Sequence, residues 1–227
     1  MSEILAQLYS TREVYPAPIL PPMGHVVLLL SLVFLYTVAK RGQGERLAKW
    51  SLGFLLVVLY QYFLFVHFSW KLSLPMYHCR IAMFLMLILP DGSKWKQYIA
   101  YLGVLGPFIA FLYPVLPNYS IFHVTTICFI LMHQLLFFLS CLYLFKQEPL
   151  MILTSREIQV DSILLTIAIA ISSWLTGGNY GFLQELPVLH SHNFLLNTVL
   201  MTFLLGGVIF LVQRIFLSVE QKREVAW

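Results

Sequence analysis

Charge is scarce in this sequence of 227 residues. Only 11% of the residues are Asp, Glu, Lys or Arg, whereas soluble proteins carry about 25%. Hydrophobic residues make up 59% of the chain, and the mean hydropathy is +0.81. This balance excludes an ordinary soluble enzyme and predicts an all-α, polytopic membrane helix bundle. The formal net charge of +4 is spread over many connections and does not indicate a nucleic-acid partner.

Cysteine is also scarce, and internal repeats and low-complexity tracts are absent. The three cysteines, Cys79, Cys128 and Cys141, lie in or beside apolar segments, so they do not indicate a disulfide framework. The chain is therefore expected to form one transmembrane domain over residues 1–227.

The apolar runs predict seven transmembrane helices. An N-terminal segment, residues 1–22, would lie outside, with Ile4, Leu5, Leu8 and Tyr9 on one face of a short interfacial helix. Residues 217–227 would form a cytoplasmic tail. The expected spans are residues 23–39, 50–68, 76–90, 97–115, 121–145, 158–175 and 194–216.

Lysine and arginine are unequally divided between the two sides that these spans define. Because cytoplasmic loops carry an excess of Lys and Arg, the bias predicts that the N-terminus is outside and the C-terminus is cytoplasmic. The outer side has three, Arg12, Lys71 and Arg80. The inner side has eleven, Lys40, Arg41, Arg46, Lys49, Lys94, Lys96, Lys146, Arg156, Arg214, Lys222 and Arg223.

The stretch from Leu74 to Arg80, Leu-Pro-Met-Tyr-His-Cys-Arg, separates two apolar segments and contains a candidate nucleophile. Pro75 restricts the residue before it and can start a helix. A helix beginning near Met76 would hold Cys79 in its first turn, where free N–H groups, the helix dipole and Arg80 all favour a thiolate. The alternative is that Cys79 is a small buried hydrophobic residue.

The third span is unusually short. Its fifteen residues, 76–90, extend about 22 Å, whereas the hydrocarbon core of a bilayer is about 30 Å thick. If Pro90 reaches the inner interface, this helix begins below the outer surface, and Cys79 lies within the membrane. The segment before the helix must then pack on protein or line a cavity.

His133 is expected midway along the fifth span, whereas the other six histidines fall near the outer ends of spans or in outer loops. An ionisable residue at membrane depth indicates a functional site. Thr126, His133 and Ser140 recur every seven residues and share one helical face. An interhelical hydrogen bond that stabilises packing is the alternative role for His133.

Three features together resemble one known family. They are the Leu-Pro-x-x-x-Cys sequence that opens a short third helix, the mid-helix His133, and Gly178-Asn179-Tyr180-Gly181-Phe182-Leu183 after the sixth span. The sequence from Leu74 to Leu183 resembles the transmembrane protein 164 acyltransferase family, with its bacterial YwaF-type members. The resemblance implies a multi-pass protein of the bacterial cell membrane that moves an acyl chain from a phospholipid to a lysophospholipid.

By this resemblance, Cys79 would accept the acyl group and His133 would be its partner, with Asn179 and Tyr180 supporting the site. Such a pair splits the transfer into two steps through a thioester and needs no cofactor and no metal. Asn179 or backbone N–H groups near Cys79 would stabilise the oxyanion. Further candidates are Arg80 and His78 as positioning residues, and Met83, His123 and Thr126 as substrate-binding residues.

Two other classes of function stay open. A metal-binding membrane enzyme would use His190 and His192 with His78 or His123, since imidazole binds zinc, iron and copper. A transporter for a small molecule or a lipid would line its path with buried polar residues, namely Gln61, His133, Asp161 and Asn197. The oligomeric state does not follow from the sequence.

Overall fold

The computed structural model describes residues 6–147, 149–187 and 189–225, with side chains through residue 221. These residues form an all-α bundle of seven helices, which are 11 to 32 residues long. Residues 6–8 add a short helical stretch; Ile4 and Leu5 of the predicted interfacial helix lie outside the described residues. The helices are α1 Pro22–Ala39, α2 Glu45–Gln61, α3 His78–Ile88, α4 Lys94–Leu112, α5 Val124–Lys146, α6 Ser155–Thr176 and α7 Phe194–Val225.

Five of these helices are long and apolar enough to cross a membrane, namely α1, α2 with its π-helical extension Tyr62–Val66, α5, α6 and α7. α3 is apolar but only eleven residues long, whereas α4 has nineteen residues but is not apolar enough to be counted with these five. The chain is therefore a multi-pass membrane protein. Seven complete spans, and the side on which each terminus lies, stay predictions.

α5 is the central helix of the bundle. It packs against α1, α2, α3 and α4, while α7 packs against α6 and α4. The stripe formed by Thr126, His133 and Ser140 is buried along its length. A polar side chain on α5 can therefore be positioned by residues from several of these four helices.

The connections meet at two opposite ends. One end, here called the histidine end, contains His123, which contacts the Ser10 carbonyl. At this end the Val14 N–H donates to the Asn118 carbonyl, and the Tyr180 hydroxyl donates to Trp70 in the 67–77 connection. At the other, here called the basic end, Lys146 pairs with Glu45, and Lys94 pairs with Glu157. This alternation is what an up-and-down order of helices requires.

Several helix boundaries differ from the expected ones. α3 begins at His78 rather than Met76, because Tyr77 is still extended at φ −79° and ψ 139°. α2 begins at Glu45, within the predicted polar loop, since Glu45 forms an i,i+4 ion pair with Lys49. α7 continues to Val225, so the described part of the predicted tail is helical.

Candidate functional site

The first turn of α3 brings Cys79 to the interior of the bundle. Tyr77 is the N-cap residue, and Cys79 is the second helical residue, so the cysteine lies in the first turn as predicted. Pro75 does not start the helix and instead belongs to the connection that leads into it. The connection and the first turn together place the thiol.

Tyr180 fixes this connection from the opposite loop. Its hydroxyl donates to the Trp70 carbonyl at 2.7 Å and accepts the Leu74 N–H at 3.1 Å. The ring also packs edge-to-face on Tyr77, with 5.0 Å between centroids. Burial raises the pKa of Tyr180 to about 12, so the hydroxyl stays protonated and keeps its donor. Tyr180 thus joins the loop after α6 to the start of α3.

His78 packs against the same loop. Gly181 adopts a positive φ of 61°, and a Cβ built there would lie 2.8 Å from His78 Cε1. The imidazole therefore occupies the space that a side chain at this position would fill. Its Nε2 is buried without a hydrogen-bond partner among the described residues.

Arg80 donates to the connection rather than to the thiol. Nη1 donates to the Leu72 carbonyl at 2.7 Å and to the Leu74 carbonyl at 3.3 Å. The guanidinium lies over the faces of Phe63 and Tyr77, at 4.9 Å from each ring centroid. Arg80 therefore holds the connection and forms a cation–π cluster with these two rings.

The Cys79 thiol packs directly on the backbone of α4. A Cβ built on Gly106 would lie 2.6 Å from Sγ, a separation that real Cβ atoms essentially never show. Gly106 therefore lets the thiol approach the helix more closely than any other residue would. That Gly106 faces Cys79 depends on how α3 and α4 pack, and the sequence alone does not show it.

His133 is held in one tautomer by the main chain. Its Nδ1 lies 2.6 Å from the Phe129 carbonyl oxygen, which can only accept a hydrogen bond. Nδ1 therefore carries the hydrogen, and in the neutral ring Nε2 keeps its lone pair. The ring packs on Phe129 and Phe111, with centroids 4.4 and 6.0 Å away. His133 can thus act as a base through Nε2.

Cys79 and His133 lie at a similar level in the bundle. Antiparallel packing of α4 on α5 sets Gly103 against Leu136 and Ser140, and Phe111 against Phe129 and His133. Measured along the axes of α4 and α5, Gly106 then lies within about one helical turn of the level of His133. The Cys79 thiol, which contacts Gly106, lies at the same level. No hydrogen bond joins Sγ to the imidazole within the described residues.

Asn179 organises its own loop. Its Oδ1 accepts the N–H groups of Gln184 and Glu185, at 2.9 and 3.1 Å, and its Nδ2 donates to the Glu185 carbonyl. Both ends of the amide are therefore engaged within the 179–185 turn. The structure places Asn179 in support of the loop that carries Tyr180.

The candidate substrate-binding residues have different surroundings. Met83 is buried in the core beside Met86, on the helix that carries Cys79. His123 stacks on Tyr119 at 4.2 Å and contacts the Ser10 carbonyl through Nε2 at 3.0 Å. Thr126 donates to the Ser120 carbonyl at 3.3 Å. His123 and Thr126 therefore stabilise the histidine end, where the N-terminal segment is attached.

The outer histidines of the proposed metal site are dispersed. His190 is 77% exposed, and its Nδ1 lies 4.0 Å from a Glu185 oxygen. Within the part of the chain that the structure describes, no three His, Cys, Asp or Glu side chains are placed to hold a metal ion together. The geometry therefore favours the Cys79 region over a metal centre.

A comparison with protein families identifies the chain. The family model described as the TMEM164 family matches residues 8–218, a range that includes Cys79, His133 and Tyr180. No curated protein and no solved structure matches the sequence. Since the family model covers nearly all of the chain, this multi-pass membrane protein belongs to the TMEM164 family.

Proposed function

We propose that the protein is a phospholipid transacylase that carries an acyl chain as a thioester on Cys79. The observation that supports this most strongly is a histidine whose Nδ1 is bound to a main-chain carbonyl, which leaves Nε2 available as a base, at the level of a thiol in a helix first turn. A thiol and a neutral imidazole are the two groups that thioester chemistry requires. The resemblance to an acyltransferase family supplies the substrates, a phospholipid donor and a lysophospholipid acceptor.

In the first step, the Cys79 sulfur attacks the ester carbonyl of the donor phospholipid. His133 Nε2 takes the thiol proton, a C–S bond forms, and the ester C–O bond breaks. The imidazolium then gives its proton to the departing glycerol oxygen. The products are an acylated Cys79 and a lysophospholipid, with His133 neutral again.

In the second step, the hydroxyl of another lysophospholipid attacks the thioester. His133 takes the hydroxyl proton, the new C–O bond forms, the C–S bond breaks, and the proton returns to sulfur. Both steps use the same two side chains and need no cofactor. A site within the bundle admits little water, and this favours transfer to a lipid over hydrolysis.

Backbone N–H groups are the proposed oxyanion donors. Tyr77 makes no side-chain cap, and the Ile81 N–H is the first in α3 to reach an intrahelical carbonyl, that of Tyr77. The N–H groups of His78, Cys79 and Arg80 have no hydrogen-bond partner within the described residues. They lie in the same helical turn as the attacking sulfur, whereas both ends of the Asn179 amide are hydrogen-bonded within its own loop.

Intact-protein mass spectrometry after mixing purified protein with phospholipid tests this proposal. We expect the mass of one acyl chain to be added to the wild type and to be absent from Cys79→Ala. His133→Ala should form the adduct about 10²- to 10⁴-fold more slowly. Cys128→Ala and Cys141→Ala are the matched controls and should behave as the wild type. Full activity of folded Cys79→Ala would rule out the mechanism.

The bacterial cell membrane is the proposed location, as the resemblance to the YwaF-type members implies. The Lys and Arg bias supports an outward-facing histidine end. With that orientation, the site would draw both lipids from the outer leaflet of that membrane.

A further inference from the structure

Arg80 carries donors that the protein does not use. Nη1 makes both of its hydrogen bonds, while Nε and Nη2 make none within the described residues and are not sealed from solvent. Arg80 also takes part in no ion pair among those residues. An arginine at membrane depth normally has a partner, because its charge is costly there. An anion that does not belong to the protein could accept hydrogen bonds from these free donors and balance the charge of Arg80.

A second unsatisfied donor lies beside it. The Tyr60 hydroxyl, on α2, is buried without a hydrogen-bond partner among the described residues. Its ring and the Arg80 guanidinium both pack on Phe63, so the two groups lie close together. The ring is fixed by Phe63 and Phe84, with centroids 6.2 and 5.5 Å away. A hydroxyl and a guanidinium from two different helices are thus directed toward one small region.

We propose that Arg80 and Tyr60 form a subsite for the phosphate of the lipid substrate. The inference rests on the proposed acyl transfer and deepens it, because it names the side chains that would recognise the phosphate shared by donor and acceptor and so discriminate against neutral glycerolipids. A guanidinium binds two phosphate oxygens at once, and a phenol hydroxyl donates to a third. The faces of Phe63 and Tyr77 hold the guanidinium plane in place for this contact.

The position of the subsite suits the reaction. Arg80 follows Cys79 in the same helical turn, and in a glycerophospholipid only the glycerol carbons separate the phosphate from the ester groups. A phosphate on Arg80 would therefore hold an ester carbonyl near the thiol. The same subsite would also position an accepting lysophospholipid, because its free hydroxyl is on the glycerol that carries the phosphate.

Competing donors test the subsite. The rate of Cys79 acylation is measured by intact mass with a mixture of phosphatidylethanolamine and phosphatidylglycerol, and with diacylglycerol bearing the same acyl chains. We expect the wild type to react faster with the phospholipids. Tyr60→Phe should slow the phospholipid reaction roughly ten- to a hundredfold and leave the diacylglycerol reaction unchanged, since it removes a hydrogen bond to a charged group. Arg80→Lys retains the charge but loses the planar set of N–H donors, so it should also slow the phospholipid reaction.

Tyr143→Phe is the matched control, because its hydroxyl is also buried and unpartnered among the described residues but lies at the basic end. It should leave both rates unchanged. Equal rates with the two donors in the wild type, or equal losses on both donors in Tyr60→Phe, would overturn the phosphate subsite while leaving acyl transfer intact. Acylation by neither donor in the wild type would instead overturn the proposed function itself.

Discussion

At the scale of single residues, the contact between Gly106 and Cys79 gives the sharpest prediction. Gly106→Ala places a Cβ where the sulfur lies, so the thiol must move, although alanine favours a helix. A displacement of about 1 Å can reduce a rate about 10²-fold. We expect Cys79 acylation, followed by intact mass, to fall by that order.

Gly53→Ala is the control for this change, because nothing lies within 4 Å of its added Cβ. It should acylate Cys79 at the wild-type rate. Equal rates in Gly106→Ala and the wild type would show that the thiol does not depend on this close approach.

His123 makes a pH-dependent contribution to stability. Its Nδ1 accepts the Thr125 N–H, and burial, together with the neighbouring His67, lowers its pKa from the ordinary value of 6.5. The unfolded chain then binds the proton more tightly than the folded one, so this stability is full above pH 6.5 and declines as the pH falls toward the lowered pKa. Thermal unfolding in detergent between pH 7.5 and 5.0 measures the decline.

His123→Gln provides the comparison, since glutamine can accept the Thr125 N–H and donate to Ser10 but does not titrate in this range. The melting temperature of this variant should depend less on pH than that of the wild type. Burial raises the pKa of Tyr119, which stacks on the ring, so its hydroxyl stays neutral throughout this range. Identical slopes would assign the pH dependence to other groups.

At the scale of the element, α3 is fixed at both ends. Lys96 is 3% exposed, and its Nζ donates to the Leu89 carbonyl at 2.7 Å and pairs with Asp91 at 2.6 Å. Lys96→Met should destabilise the protein by about 1–3 kcal/mol, because it leaves the part-buried Leu89 carbonyl without a partner. Lys94→Gln removes only an exposed pair and should change little. Chemical unfolding of both variants in detergent checks the difference.

The same helix shows what the sequence could predict. A proline before an apolar run, with a second proline at its end, was enough to predict a short helix with Cys79 in the first turn. The direction of Arg80 was not predictable, because two carbonyls in the preceding connection compete with the thiol for its donors. The contact of the Cys79 thiol with Gly106 was not predictable either, since it depends on the register between α3 and α4.

At the scale of the whole molecule, the all-α bundle and its alternating connections follow from the spacing of apolar runs. His133 was singled out by its position within one of those runs. Its tautomer was not predictable, because the Phe129 carbonyl is a main-chain group whose contact with the ring depends on the rotamer. Tyr60 was missed for a similar reason, as its hydroxyl becomes notable only when Arg80 lies beside it.

The arrangement across the membrane is tested by labelling. Single cysteines introduced in residues 41–44 of a variant lacking the native cysteines should react with an impermeant reagent only after the cells are opened. Single cysteines in residues 189–193 should react in intact cells, because the Lys and Arg bias places that connection outside. Labelling in the opposite pattern would invert the orientation and place the site on the cytoplasmic side.

The main-chain contact of His133 has a consequence for how this protein tolerates mutation. Where an aspartate orients a catalytic histidine, one substitution can remove the orienting group; here that group is the carbonyl of Phe129, which every amino acid supplies. A saturation scan for loss of acylation should therefore find position 129 permissive to residues that keep the helix and fill its volume. The scan would therefore identify Cys79 and His133. It would not identify the Phe129 carbonyl, although that group orients the histidine.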